Sequence, residues 1–207
     1  MKFLSGVFLC AATALPAWSQ VAEVRAGIGA HDLGVIGDFT VKEESGVINA
    51  EIIFEEPEVL KWAFSPQPYI GGQLNLGGGT SYGGAGLLWR QNFGKKFYGD
   101  FSFGVVIHDG TLEADLPTID LDQFDTVEEL RADPQAQAIL NERFFRIFNT
   151  LEYGSRILLR EQLTLGYRLD NKWALEGYFE HVSHGNIWTD GPNDGSESAG
   201  FRVNRKF

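Results

Sequence analysis

Three residues near the carboxyl end of the chain could do chemistry together: His181, Ser183 and Glu197. A serine hydroxyl is a weak nucleophile until a base within hydrogen-bond reach takes its proton. An imidazole serves best when a carboxylate orients it and stabilises its charged form. His181 and Ser183 are two apart, so on a β-strand they project from one face. The alternation around them puts Trp173, Leu175, Gly177 and Phe179 on that same face, opposite Glu176, Tyr178, Glu180 and Val182. From Glu197 a second alternation runs through Ala199, Phe201, Val203, Arg205 and Phe207. Its other face carries Ser196, Ser198, Gly200, Arg202, Asn204 and Lys206. If 173–184 turns back into 196–207, Glu197 joins the pair on one patch. A His-x-Ser pair alone occurs often by chance; its weight here comes from the shared face and the acid.

The elements that position these residues have an unusual polarity. The reactive pair sits on the apolar face and the charges sit on the other. A soluble sandwich would bury that apolar face, out of reach of substrate, whereas a membrane barrel turns it to lipid. After residue 20 no apolar run is long enough for a membrane-spanning helix, so a membrane-spanning reading requires a closed β-barrel. The chain of 207 residues, with 25 Gly, 16 Phe, 5 Trp and 6 Tyr, suits one such domain. A basic start at Lys2, an apolar run from Phe3 to Leu15 and small residues at Ala17 and Ser19 predict a signal peptide over 1–19. The only cysteine, Cys10, falls inside it, so no disulfide or thiol serves the remainder. The net charge of −11 argues against nucleic acid as a partner, because phosphate binding needs clustered Lys and Arg.

Eight alternating segments can be marked: 23–30, 47–55, 69–76, 83–93, 97–108, 156–169, 173–184 and 196–207. The predicted fold is therefore all-β, an eight-stranded antiparallel transmembrane β-barrel over 20–207 with a long, partly helical insert at 109–154. A barrel that small is filled by its own side chains. Arg156, Arg160, Arg168, Glu176, Glu180 and Arg202 are expected inside it, as paired structural ions. The connections alternate in length, except that 56–68 is longer than the alternation predicts. Barrels of the bacterial outer membrane have short periplasmic turns and longer outer loops. Gly94-Lys-Lys96 and Asp170-Asn-Lys172 are then periplasmic, and 109–154 and 185–195 lie outside. His181, Ser183 and Glu197 consequently fall near the outer rim on the lipid side. Within the insert, Asp125 with Glu128 reads as a capping box, and Asp133-Pro134 as a helix start. Ile139, Leu140, Phe144, Ile147 and Phe148 read as one amphipathic stripe, for the membrane interface or the protein itself.

The residues His181-Val-Ser183, Asn193-Asp-Gly-Ser-Glu197 and the final strand to Phe207 resemble the outer-membrane lipid A 3-O-deacylases. Gly154-Ser-Arg-Ile-Leu-Leu-Arg160 and Leu165-Gly-Tyr-Arg-Leu-Asp170 fit the same pattern. The resemblance is strongest over 154–207. It implies an ester hydrolase of the Gram-negative outer membrane, facing the outer leaflet, that removes the 3-O-linked acyl chain of lipid A in lipopolysaccharide. It implies Ser183 as nucleophile, His181 as base, Glu197 as orienting acid, and an oxyanion or structural role for Asn193. His184 stands where the family usually has Asn; with Gly185 it is grouped as oxyanion or support. No cofactor is expected. No metal is expected either, since the four histidines show no ligand spacing, and His31 and His108 read as incidental. A homodimer is left open. The other readings are an outer-membrane phospholipase or acyltransferase with the same residues, and a non-catalytic structural or adhesive barrel.

Overall fold

A computed structural model describes residues 20–36 and 41–207. The signal-peptide reading falls on 1–19, outside the described residues. Eight strands follow in chain order: β1 Val21–His31, β2 Ser45–Phe54, β3 Gln67–Asn75, β4 Tyr82–Phe93, β5 Phe97–His108, β6 Ile157–Arg168, β7 Trp173–Ser183 and β8 Ser196–Lys206. Each pairs antiparallel with the next, and β8 returns to β1, so the sheet closes. The expected eight-stranded antiparallel barrel is the observed one, with strand ends within a few residues of the segments read from alternation.

The alternation sorts side chains as expected. Ile28, Phe101, Ile107, Leu163, Leu165 and Phe201 point outward and are exposed, forming an apolar outer band. The inward positions carry buried ions and hydroxyls instead. Arg25 bridges Glu51 at 2.5 Å and Asp100 at 3.0 Å, while Arg160 Nε donates to Glu180 at 2.8 Å. Arg202 reaches Glu176 at 3.2 Å, and the Tyr82 and Tyr98 hydroxyls donate to Glu180 and Glu176 at 2.7 and 2.6 Å. Buried charge persists only when paired and hydrogen-bonded, and this network pairs its charges across seven strands. Arg160, Glu176, Glu180 and Arg202 lie inside as expected. Arg156 does not: it precedes β6 and donates outside to the Gly110 carbonyl at 2.6 Å. Arg168 sits at the mouth with the short turns, its guanidinium 4.7 Å from the Tyr98 ring centroid. Arg25, Glu51 and Asp100 complete the network from β1, β2 and β5.

The insert contains two helices, α1 Val127–Ala132 and α2 Pro134–Asn149. The capping box lies one residue further on than expected. Thr126 is the N-cap and accepts from the Glu129 amide at 3.2 Å, while the Glu129 carboxylate accepts from the Asp125 amide at 2.9 Å. A threonine three residues before a glutamate satisfies the same rule that Asp125 and Glu128 appeared to satisfy. Asp133 caps α2 as read, with Pro134 in its first turn. Of the apolar stripe of α2, Ile139 and Leu140 are half-buried, whereas Phe144, Ile147 and Phe148 are exposed. Ala136 is buried, Phe145 is exposed, and the Phe144 and Phe148 rings stack at 6.4 Å. The long β2–β3 connection holds a 3₁₀ helix, Glu58–Ala63, followed by Phe64. Its Trp62 and Phe64 are exposed, as suits a membrane interface, where aromatic rings concentrate.

Candidate active site

The register between β7 and β8 sets His181 directly opposite Glu197. Residues opposite one another on adjacent strands have side chains in contact range. Here His181 Nδ1 lies 2.7 Å from Glu197 Oε1. A carboxylate can only accept in that pair, so Nδ1 carries the proton, and in the neutral ring Nε2 keeps its lone pair. Ser183 is one rung up on the same outward face, opposite Leu159 of β6. The three residues named from spacing are therefore brought onto one patch. On its other flank His181 faces Glu161 in register, an exposed outward carboxylate that spacing did not single out.

Glu197 points outward yet is only 2% exposed, because the chain after β1 folds over it. Leu33 N donates to the Glu197 carbonyl at 3.2 Å, and Val35 N donates to Glu197 Oε2 at 3.0 Å. Asp32 and Gly34 turn this segment through positive φ values of 56° and 58°. Both carboxylate oxygens thus receive a donor, one from the imidazole and one from the backbone. Nothing in the local pattern of 31–46 announced this contribution; the positive-φ glycine is the nearest signal.

The loop 184–195 is held from several sides. His184 is fully buried. Its amide donates to Asn193 Oδ1 at 3.0 Å, its Nδ1 accepts from the Asn186 amide at 3.1 Å, and Nε2 lies 2.9 Å from the Pro192 carbonyl. Accepting at Nδ1 and donating at Nε2 defines a neutral ring with the proton on Nε2. His184 is thus a loop clasp, and its own amide is occupied. Among the described residues, the Gly185 amide and Asn193 Nδ2 make no hydrogen bond, and both belong to this loop beside Ser183. Asp194 accepts from Lys42 Nζ and from the Glu152 amide, each at 2.8 Å, tying the loop to the segment before β2 and to the insert. Gly195 has φ of 66°, and a Cβ there would come within 3.0 Å of His181 Cε1 and 3.4 Å of Ser183 Cβ. The Asp-Gly dipeptide at 194–195 is the sequence signal for such a turn.

The other two histidines are not incidental. His31 is buried among Ser198 Oγ at 3.1 Å, Gln73 Nε2 at 3.0 Å and Glu43 Oε2 at 3.5 Å. Burial raises the Glu43 pKa, but the contact with His31 and the Thr80 N–H offset this, and it ends below its ordinary value. His108 Nε2 donates to the Ser155 carbonyl at 2.6 Å, and its ring packs 4.5 Å from that of Tyr153. Both hold the same end of the barrel together. Among the described residues, no group of three or more potential ligands gathers for a metal.

One rung below His181 and Glu197, an outward groove of about 520 Å³ opens along β6, β7 and β8. Leu163, Leu165, Phe179 and Phe201 form its walls, and Gly177 and Ala199 leave its floor low. At the other end of Ser183, Leu159 and Ile187 pack over Gly185. The arrangement combines an oriented imidazole, a hydroxyl, two unpaired N–H donors and an apolar groove. That combination can split an acyl ester.

A family described as lipid A 3-O-deacylase (PagL) matches residues 130–206, which include α2, β6, β7 and β8. The crystal structure of the outer membrane enzyme PagL superposes with a TM-score of 0.55 at 14% identity, covering 90% of this chain and 100% of that one. Neisserial surface protein A superposes with a TM-score of 0.53 at 7% identity, covering 91% of this chain and 99% of that one. No curated protein sequence matches the chain. The family model thus matches the segment that carries His181, Ser183 and Glu197, and both solved structures share the fold of the closed barrel.

Proposed function

We propose that the protein is a serine ester hydrolase that removes the 3-O-linked acyl chain of lipid A. The observation that carries the reading is the 2.7 Å contact of His181 Nδ1 with Glu197, on the rung beside Ser183 and on the outward face. Ser183 Oγ attacks the ester carbonyl while His181 Nε2 takes its proton. The imidazolium is stabilised by Glu197, which is itself held by the Val35 amide. The tetrahedral oxyanion is bound by Asn193 Nδ2 and the Gly185 amide; losing one such donor typically costs about 2.7–4 kcal/mol. Collapse expels the sugar 3-hydroxyl, which receives the proton from His181. Water, activated by the same imidazole, then releases the fatty acid. The groove over Gly177 and Ala199 accommodates the acyl chain. Outer-membrane barrels carry their short turns in the periplasm. The tight β4–β5 and β6–β7 turns therefore face the periplasm, and Ser183 lies at the outer leaflet, where lipopolysaccharide resides.

The test is mass spectrometry of lipid A from cells expressing the protein or its Ser183→Ala variant. The expected result is loss of one 3-hydroxyacyl chain with the native protein and none with the variant. Release of glycerophospholipid acyl chains, or acyl transfer with lipid A left intact, would replace this reading with a phospholipase or acyltransferase.

A further inference from the structure

The chain is acidic overall, yet the barrel mouth at the tight turns is not. Lys95 and Lys96 form the β4–β5 turn, Lys172 ends the β6–β7 turn, and Lys206 closes β8. These are four of the seven lysines in the chain. Backbone bonds hold them side by side: the Arg168 amide donates to the Lys96 carbonyl at 2.8 Å, and the Lys206 amide to the Lys172 carbonyl at 2.7 Å. Lys172, Lys206 and Arg168 line one small cleft of about 30 Å³, with Asn171 and Trp173 beside them. Among the described residues, the ammonium groups of Lys95, Lys172 and Lys206 have no carboxylate partner. The carboxylates near the cleft are already engaged. Glu23 accepts from Arg90 and Asn204, and Asp170 accepts from the Lys172 and Trp173 amides. Aromatic rings lie alongside: Lys96 Nζ bonds the Tyr167 hydroxyl at 3.1 Å, and Arg205 lies over the Trp173 and Phe207 rings at 5.5 and 4.9 Å.

We infer that this rim is a binding site for the phosphate of an anionic phospholipid in the periplasmic leaflet. Charge complementarity selects the partner: clustered cations at a membrane surface attract anionic headgroups, and flanking aromatic rings sit at headgroup level. Trp173 and Arg205 lie on the outward faces of β7 and β8, and Lys172 and Lys206 line the mouth beside them, all four exposed. A net-anionic headgroup such as that of phosphatidylglycerol suits unpaired ammonium groups, whereas phosphatidylcholine neutralises its phosphate with a cation of its own. The inference uses the membrane orientation proposed above and is independent of the ester chemistry.

The test is native mass spectrometry of the full chain, released from vesicles of equal parts phosphatidylglycerol and phosphatidylcholine. One phosphatidylglycerol is expected to remain bound, in at least tenfold preference over phosphatidylcholine. Lys95→Gln, Lys96→Gln, Lys172→Gln and Lys206→Gln together should abolish that preference. Because all four side chains are exposed, heat-modifiable gel mobility should be unchanged. Arg131→Gln, Arg143→Gln and Arg146→Gln in the insert should leave the preference intact. Equal retention of both lipids, retention by the quadruple variant, or loss through the insert variant would each overturn the inference. The Ser183→Ala protein should retain the lipid, so a failure of the catalytic reading and a failure of this one give different results.

Discussion

Replacing Glu197 with glutamine changes one atom of the site and tests the catalytic reading most severely. Both groups that face the carboxylate are donors: His181 Nδ1–H at 2.7 Å and Val35 N–H at 3.0 Å. A glutamine amide has a single acceptor oxygen and presents an NH₂ at the other position. If the oxygen faces His181, the NH₂ meets the Val35 N–H, leaving a buried donor unsatisfied at a cost of about 1–3 kcal/mol. If the oxygen faces Val35, the NH₂ donates to Nδ1, and the imidazole moves its proton to Nε2. The second arrangement keeps every bond, so it prevails. It also leaves His181 with no lone pair toward Ser183. The corresponding Asp→Asn change in a serine protease lowers kcat by about 10⁴, roughly 5 kcal/mol. Glu197→Gln is therefore expected to fold with native gel mobility and lose about 10³–10⁴ in the rate of 3-hydroxyacyl release from purified lipid A. Glu197→Asp keeps two acceptors and should lose less. Activity of Glu197→Gln within tenfold of native would refute the assignment of His181 as the base that Glu197 orients.

Three further outcomes are expected. Gly195→Ala must hold φ of 66°, at about 1–2 kcal/mol, and push its methyl against His181 and Ser183; kcat should fall while the barrel stays intact by gel mobility. His184→Ala removes two side-chain hydrogen bonds worth about 0.5–1.5 kcal/mol each, so limited proteolysis should cut within 185–195 faster and the hydrolysis rate should drop; an unchanged cleavage rate would show that His184 is not the clasp. Leu165→Arg puts a charge on the outward face, at about 2–4 kcal/mol near the bilayer midplane, and should reduce the yield of folded barrel in vesicle refolding.

The sequence by itself determined which side of each strand faces out. Side chains on a strand alternate strictly, so Leu163, Leu165 and Phe201 could be separated from Thr164 and Arg202 without any partner strand in view. The same period put His181 and Ser183 on one face, and the loop lengths put them at one end. The strand pairing was only conditional: Glu197 could join the pair if β7 and β8 were neighbours in the right register. Tertiary structure decided that register, and with it the 2.7 Å contact, because one residue of slip would have turned Glu197 to the lumen. It also decided what local pattern does not encode. Val35 reaches Glu197 from 162 positions away, and Arg25 meets Glu176 across 151. The sequence groups His184 with Gly185 as oxyanion or support, but its role as a clasp depends on Asn186, Pro192 and Asn193, which come together only when the loop closes. Periodicity is a property of neighbours along the chain. Hydrogen-bond partners across a closed sheet are set by how eight strands meet, and no single strand carries that information.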